Sequence, residues 1–171
     1  MEAGLTDGQP VTFAGNRLAL IVPADNPARI VTPADLAGPG VRIIAAGDHV
    51  PITRYATQVV NLLARQPGYP TNFAAAYAAN VVTKEDNVSA VVAKIELGEG
   101  DAAVVYATDA AASSAARTIE IPAASNVTTV YAGVVVKASD DVAAAHEFLD
   151  WTTGPEAQRI LADLGFTTPP V

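Results

Sequence analysis

Short apolar runs closed by glycine, proline or an acidic turn alternate along this chain with stretches whose apolar residues recur every three or four positions. The runs at 18–22, 41–46, 102–106, 118–121 and 128–136 predict buried strands. Helices are predicted between them. Thr32-Pro33 opens a short one, and Pro51 opens one lasting to about Arg65. Residues 72–79 predict an alanine-rich turn or two. Asn87 caps a helix over 88–97, with Val88, Val91, Val92 and Ile95 on one face. Residues 109–116 predict a further helix. Ser139-Asp140-Asp141 precedes another, whose apolar face of Val142, Ala145, Phe148, Leu149 and Trp151 reads as ordinary core. The last helix is expected over 155–164, with Gly165 at its C′ position. The opening, Met1 to Gly8, reads as the end of a helix followed by a turn. Strands alternating with helices predict a largely parallel α/β sheet.

One junction carries chemistry of its own. The apolar run ending at Ala46 passes through Gly47-Asp48-His49-Val50 into a helix that starts at Pro51. Proline suits that place because its missing amide would have no intrahelical partner. The amides of Ile52 and Thr53 then face out of the helix end, the geometry that holds an anion without side-chain charge.

Composition narrows the function. The 171 residues suffice for one good core or two small lobes. A net charge of −8 argues against nucleic acid and anionic membrane surfaces. It does not oppose a small anion, because amide dipoles act locally whereas distant surface charge is screened. The absence of cysteine removes disulfides and thiolate metal sites. No apolar stretch long enough to span a membrane is present, and no signal peptide is visible. Catalytic constellations are missing as well. His49 has no carboxylate or serine at a recognisable spacing, and His49 and His146 lack metal-ligand spacing. Asp48 reads as a turn residue, Asp109 as a helix start, and Ser113-Ser114 has no nucleophile-elbow context. Arg54 and Lys84 are lone basic residues whose ordinary reading is solvated. An enzyme is therefore not expected, nor a cofactor.

Several motifs, in order over nearly the whole chain, resemble the periplasmic molybdate-binding proteins of ABC importers. They are Asn16-Arg17-Leu-Ala-Leu-Ile-Val-Pro23, Gly47-Asp48-His49-Val50-Pro51, Arg54-Tyr55-Ala56, Asn87-Val88 and Val105-Tyr106-Ala-Thr-Asp109-Ala110. Phe148-Leu149-Asp150, Gly154-Pro155-Glu156-Ala157-Gln158 and Gly165-Phe166 continue the pattern. The resemblance implies an α/β, type II periplasmic-binding-protein-like fold, with one complete α/β lobe and part of the second. It divides the chain into 1–23 (a remnant of the first lobe and a crossing strand), 24–127 (the middle lobe) and 128–171 (the return strand and C-terminal helices).

Carried over position by position, it implies an oxyanion, molybdate or tungstate, held by the amides of Ile52 and Val88 and the hydroxyl of Tyr106. Pro51, Thr53 and Asn87 are secondary candidates, and no metal is implied beyond the oxyanion itself. The family usually has a small residue and glycine after the proline, where this chain has Ile52-Thr53, so the preferred oxyanion stays open. The segment between Tyr55 and Val88 is longer than the family's and has no role in this reading. The family's serine-bearing opening segment has no counterpart here, so the chain alone is expected to bind weakly or not at all. The orphaned apolar faces of 129–164 are expected to favour self-association. The implied partner of the whole protein is an ABC permease, and the implied location is periplasmic or extracytoplasmic. The same fold also serves as the effector module of some transcription regulators, which is the alternative reading.

Overall fold

Strand β1 (Thr6–Pro23) runs through both of the compact units into which the chain divides: 1–16 with 128–171, and 17–127. The computed structural model describes residues 4–169.

The larger unit is a twisted sheet with helices against it. The second half of β1 pairs antiparallel with β4 (Ala103–Tyr106) on one side and β5 (Ala116–Ile119) on the other. A parallel pair, β2 (Ile43–Ala46) and β3 (Val81–Glu85), adjoins this sheet. It is joined through the parallel bridge of Ile43 to Ala102 and the bond from the Ile44 amide to the Ala102 carbonyl at 3.0 Å. Gly100 makes the approach workable, because a Cβ there would overlap the Ile44 side chain. Asp101 ties the same corner: its carboxylate accepts from the Arg42 amide at 2.7 Å and from Arg42 Nη2 at 2.9 Å.

Three helices leave the carboxyl ends of the three parallel strands. β2 leads into α1 (Pro51–Leu63), and β4 leads directly into α4 (Ala107–Ala112). Between them in sequence, α2 (Phe73–Asn80) feeds β3, and β3 leads into α3 (Val88–Glu96). The core of this unit is aliphatic: Leu20, Ile21, Ile43, Ile44, Ile52, Leu63 and Ile95 are fully buried, with Phe73 the one large aromatic among them.

In the smaller unit, β6 (Thr128–Val136) pairs with β1, and α5 (Val142–Thr153) and α6 (Pro155–Asp163) follow. Gln158 Nε2 donates to the Phe13 carbonyl at 2.7 Å and the Thr152 carbonyl at 2.8 Å, pinning α6 to β1 and α5.

Several sequence expectations are corrected. Residues 6–8 are strand, not turn, so β1 begins well before residue 18; residues 1–3 lie outside the described part. The stretch 81–85 is a strand that the apolar pattern missed, because only its first two residues are aliphatic. α4 starts at Ala107 and ends at Ala112, leaving Ala116 to β5, which in turn ends at Ile119. α1 ends at Leu63. Phe148 and Trp151 are not core: they are 65% and 43% exposed, and Leu149 carries the burial on that face. The cap of α5 is Asp141, whose carboxylate accepts from the Ala144 amide at 2.9 Å.

Candidate functional site

The parallel register sets where the candidate donors stand. Ala46 lies opposite Glu85, and three residues beyond the Ile43–Ala102 bridge Val105 comes abreast of Ala46. The strand ends that precede Ile52, Val88 and Tyr106 therefore lie side by side along one edge of the sheet. In open α/β sheets ligands bind outside that carboxyl edge.

At the first place, the amide of Gly47 donates to the Glu85 carbonyl at 2.8 Å, and a tight turn closes from the Val50 amide to the Gly47 carbonyl at 2.9 Å. Val50 is the N-cap and Pro51 the first helical residue. Pro51 thus shapes the helix start and has no amide to offer. Ile52 occupies the second position with its side chain fully buried, so the side chain packs inward while the backbone forms the helix end. Thr53 differs from the sequence expectation of an outward amide. Its amide donates to the Val50 carbonyl at 3.0 Å. Its hydroxyl donates to the Gly47 carbonyl at 2.7 Å and the Ala46 carbonyl at 3.1 Å. Thr53 therefore locks the strand-to-helix turn, a role missed because its partners are six and seven residues back.

At the second place, Asn87 is a true N-cap: its side-chain oxygen accepts from the Ala90 amide at 2.9 Å. That leaves the amide of Val88, at the first helical position, among those with no intrahelical acceptor. Val88 itself is half-buried against the core. Tyr106, half-buried at the end of β4, is the N-cap of α4. Its backbone bonds to Asp109. Burial pushes the Asp109 carboxyl above its ordinary range, and that backbone bond only partly offsets the effect.

The charged neighbours are paired. Lys84 Nζ lies 2.6 Å from Asp48 Oδ1 with both side chains exposed, so Lys84 is solvated as expected but paired, not lone. Lys94 Nζ reaches Glu85 Oε1 at 2.9 Å and, with the Thr83 hydroxyl, holds the Glu85 carboxyl below its ordinary range. Arg54 stacks over the ring of its neighbour Tyr55 at 5.1 Å, and the His49 ring lies over Gly47. No group of acidic, histidine or cysteine side chains suited to a metal ion occurs among the described residues. No helix among them is long and apolar enough to cross a membrane.

The family described as bacterial extracellular solute-binding protein matches residues 1–167. The chain belongs to that family. Its similarity to individual solute-binding proteins is consistent with this. The molybdate-binding protein ModA of Mycobacterium bovis is 31% identical over 169 residues, covering 98% of this chain and 60% of that protein. The chain thus spans about 60% of the length of this curated relative. Two solved solute-binding structures share the fold. The substrate-binding domain of a putative molybdenum ABC transporter from Clostridium difficile superposes with a TM-score of 0.77 at 23% identity, over 99% of this chain and 71% of that one. The sulfate-binding protein SubI of Mycobacterium tuberculosis superposes with a TM-score of 0.77 at 19% identity, over 98% and 63% respectively. The α/β, periplasmic-binding-protein-like architecture expected from the sequence is thereby established.

Proposed function

We propose that this chain carries part of an oxyanion site in a solute-binding component of an ABC importer, and that the anion is molybdate or tungstate. The reading rests chiefly on one observation. Two helix starts, at Ile52 and Val88, and one tyrosine, Tyr106, follow three neighbouring parallel strands at the carboxyl edge of a sheet. The chain is also 31% identical to a protein named for molybdate binding.

The chemistry is selection without reaction. A tetrahedral dianion gives up water and recovers hydrogen bonds from uncharged donors, each worth roughly 1.5–3 kcal/mol when the acceptor is charged. Donors without an acceptor disfavour protonated phosphate, whose O–H would be buried unpaired. Size then separates molybdate and tungstate from sulfate. In the whole protein the loaded site would be presented to a membrane permease outside the cytoplasm.

The test is a nuclear magnetic resonance titration of the 15N-labelled chain with sodium molybdate, which detects weak binding. Molybdate is expected to shift the amides of Ile52 and Val88 in a saturable way, with sulfate weaker. Val88→Pro deletes one donor at a position where proline is tolerated, and is expected to weaken the response about tenfold. Molybdate shifts that are confined to residues other than 52 and 88, or that sulfate reproduces at equal concentration, overturn the assignment.

A further inference from the structure

We propose that the groove between α1 and α2 is a second binding site, one that takes a small neutral aromatic molecule with a single hydroxyl or amide head. The groove encloses about 300 Å³, at the lower end of the range for small-molecule pockets and roughly twice the volume of a dry cavity known to admit benzene. Its walls are short side chains, Ala56 and Val60 from α1 facing Ala74 and Ala78 from α2, over a floor that includes Ala45. α2 belongs to the stretch that the oxyanion reading leaves without a role.

Two polar residues along this slot, Tyr77 and Asn61, have side chains that make no hydrogen bond among the described residues. The other polar side chains along it are engaged. The Thr53 hydroxyl is bound to the Gly47 carbonyl, the Thr57 hydroxyl donates to the Thr53 carbonyl at 2.8 Å, and Lys84 is paired with Asp48. That pair cancels the charge at the rim, so the recognition left over is one donor and one amide beside apolar walls. Burial raises the Tyr77 phenol to about 12, which keeps it a proton donor throughout the physiological range. A rigid ring suits such a slot because it gives up little conformational freedom on binding. Ile52 and Thr53 line the groove while Val88 and Tyr106 do not, so a response at Val88 to molybdate and one at residues 74–78 to the aromatic probe tell the two sites apart.

The probe is 2-naphthol, titrated into the 15N-labelled 171-residue chain. Saturable shifts are expected at amides of residues 56–61 and 74–78. Ala78 and Asn61 are exposed, so changes there leave the fold intact. Ala78→Phe fills the slot and is expected to weaken binding at least tenfold, and Tyr77→Phe to weaken it about fivefold through loss of one hydrogen bond. Asn61→Ala should weaken it about threefold. Shifts that do not saturate, that centre instead on Phe148 and Trp151, or that survive Ala78→Phe overturn the proposal.

Discussion

Asp101 is the residue on which the corner between β2 and β4 turns. Its carboxylate, 10% exposed, accepts from the Arg42 amide and guanidinium, while the Asp101 amide returns a bond to the Arg42 carbonyl at 2.7 Å. The hydrogen bond that the Arg42 guanidinium donates to Asp101 also holds it above its ordinary range. Asp101→Ala removes the charged acceptor of the part-buried bond from the Arg42 amide and should destabilise the fold by about 2 kcal/mol. Thermal denaturation should register this as a fall of roughly 5 °C in Tm. Glu85 offers a prediction in pH. Its carboxyl is lowered first by Lys94 and then by Thr83. An acid lowered on folding contributes stability above the ordinary value of 4.5, and that contribution is lost as pH falls through the lower folded value. Glu85→Gln should therefore flatten the acid limb by lowering stability near neutrality while changing little at low pH, as urea titrations over that range would show. Asp35, also lowered because bonds from Thr32 and Val31 together outweigh its burial, provides an unmutated acid limb for comparison.

At the scale of the element, local chemistry made some structure legible and left other parts hidden. α1 and α3 were readable because Pro51 and Asn87 act within a few residues of themselves. The cap at Asn87 forms as its residue type requires, and Asn87→Ala should cost about 1 kcal/mol by chemical denaturation, with the fold retained. β3 was hidden. Val81-Val82-Thr83-Lys84-Glu85 becomes a strand through its parallel pairing with β2, a partner some forty residues earlier, with bonds that no local pattern encodes. The candidate site was legible to the same extent. The helix start at Ile52 is legible from Pro51, whereas Val88 and Tyr106 enter as donors only through the family resemblance. The engagement of Thr53 was not legible, because its hydroxyl reaches back to carbonyls on the far side of a turn.

For the molecule as a whole, the smaller unit carries an apolar surface that its own elements do not cover. Val130, Val134 and Val136 on β6 are close to half exposed, as are Trp151 and, to a greater degree, Phe148. The rings of Phe148 and Trp151 stack at 5.8 Å. Such a patch favours association, and sedimentation velocity of the 171-residue chain should show a mass that rises with concentration. Trp151 is the sole tryptophan, so its emission should shift to the blue over the same range, and Phe148→Asp should suppress both effects. A monomer at every concentration would contradict this.

The residue order by itself determined where helices begin, which apolar runs are strands of an α/β fold, and which backbone positions stand at helix starts, because capping, proline geometry and apolar periodicity act over a few neighbouring residues. The largely parallel sheet it predicts is mixed, with β1 antiparallel to β4 and β5. Only the tertiary structure decided which amides are already engaged, that 81–85 pairs as a strand, and that Phe148 and Trp151 lie outside the core. Those outcomes depend on what packs or hydrogen-bonds from distant parts of the chain. A periodic apolar face records that a side chain can be buried, and not whether anything in the fold arrives to bury it.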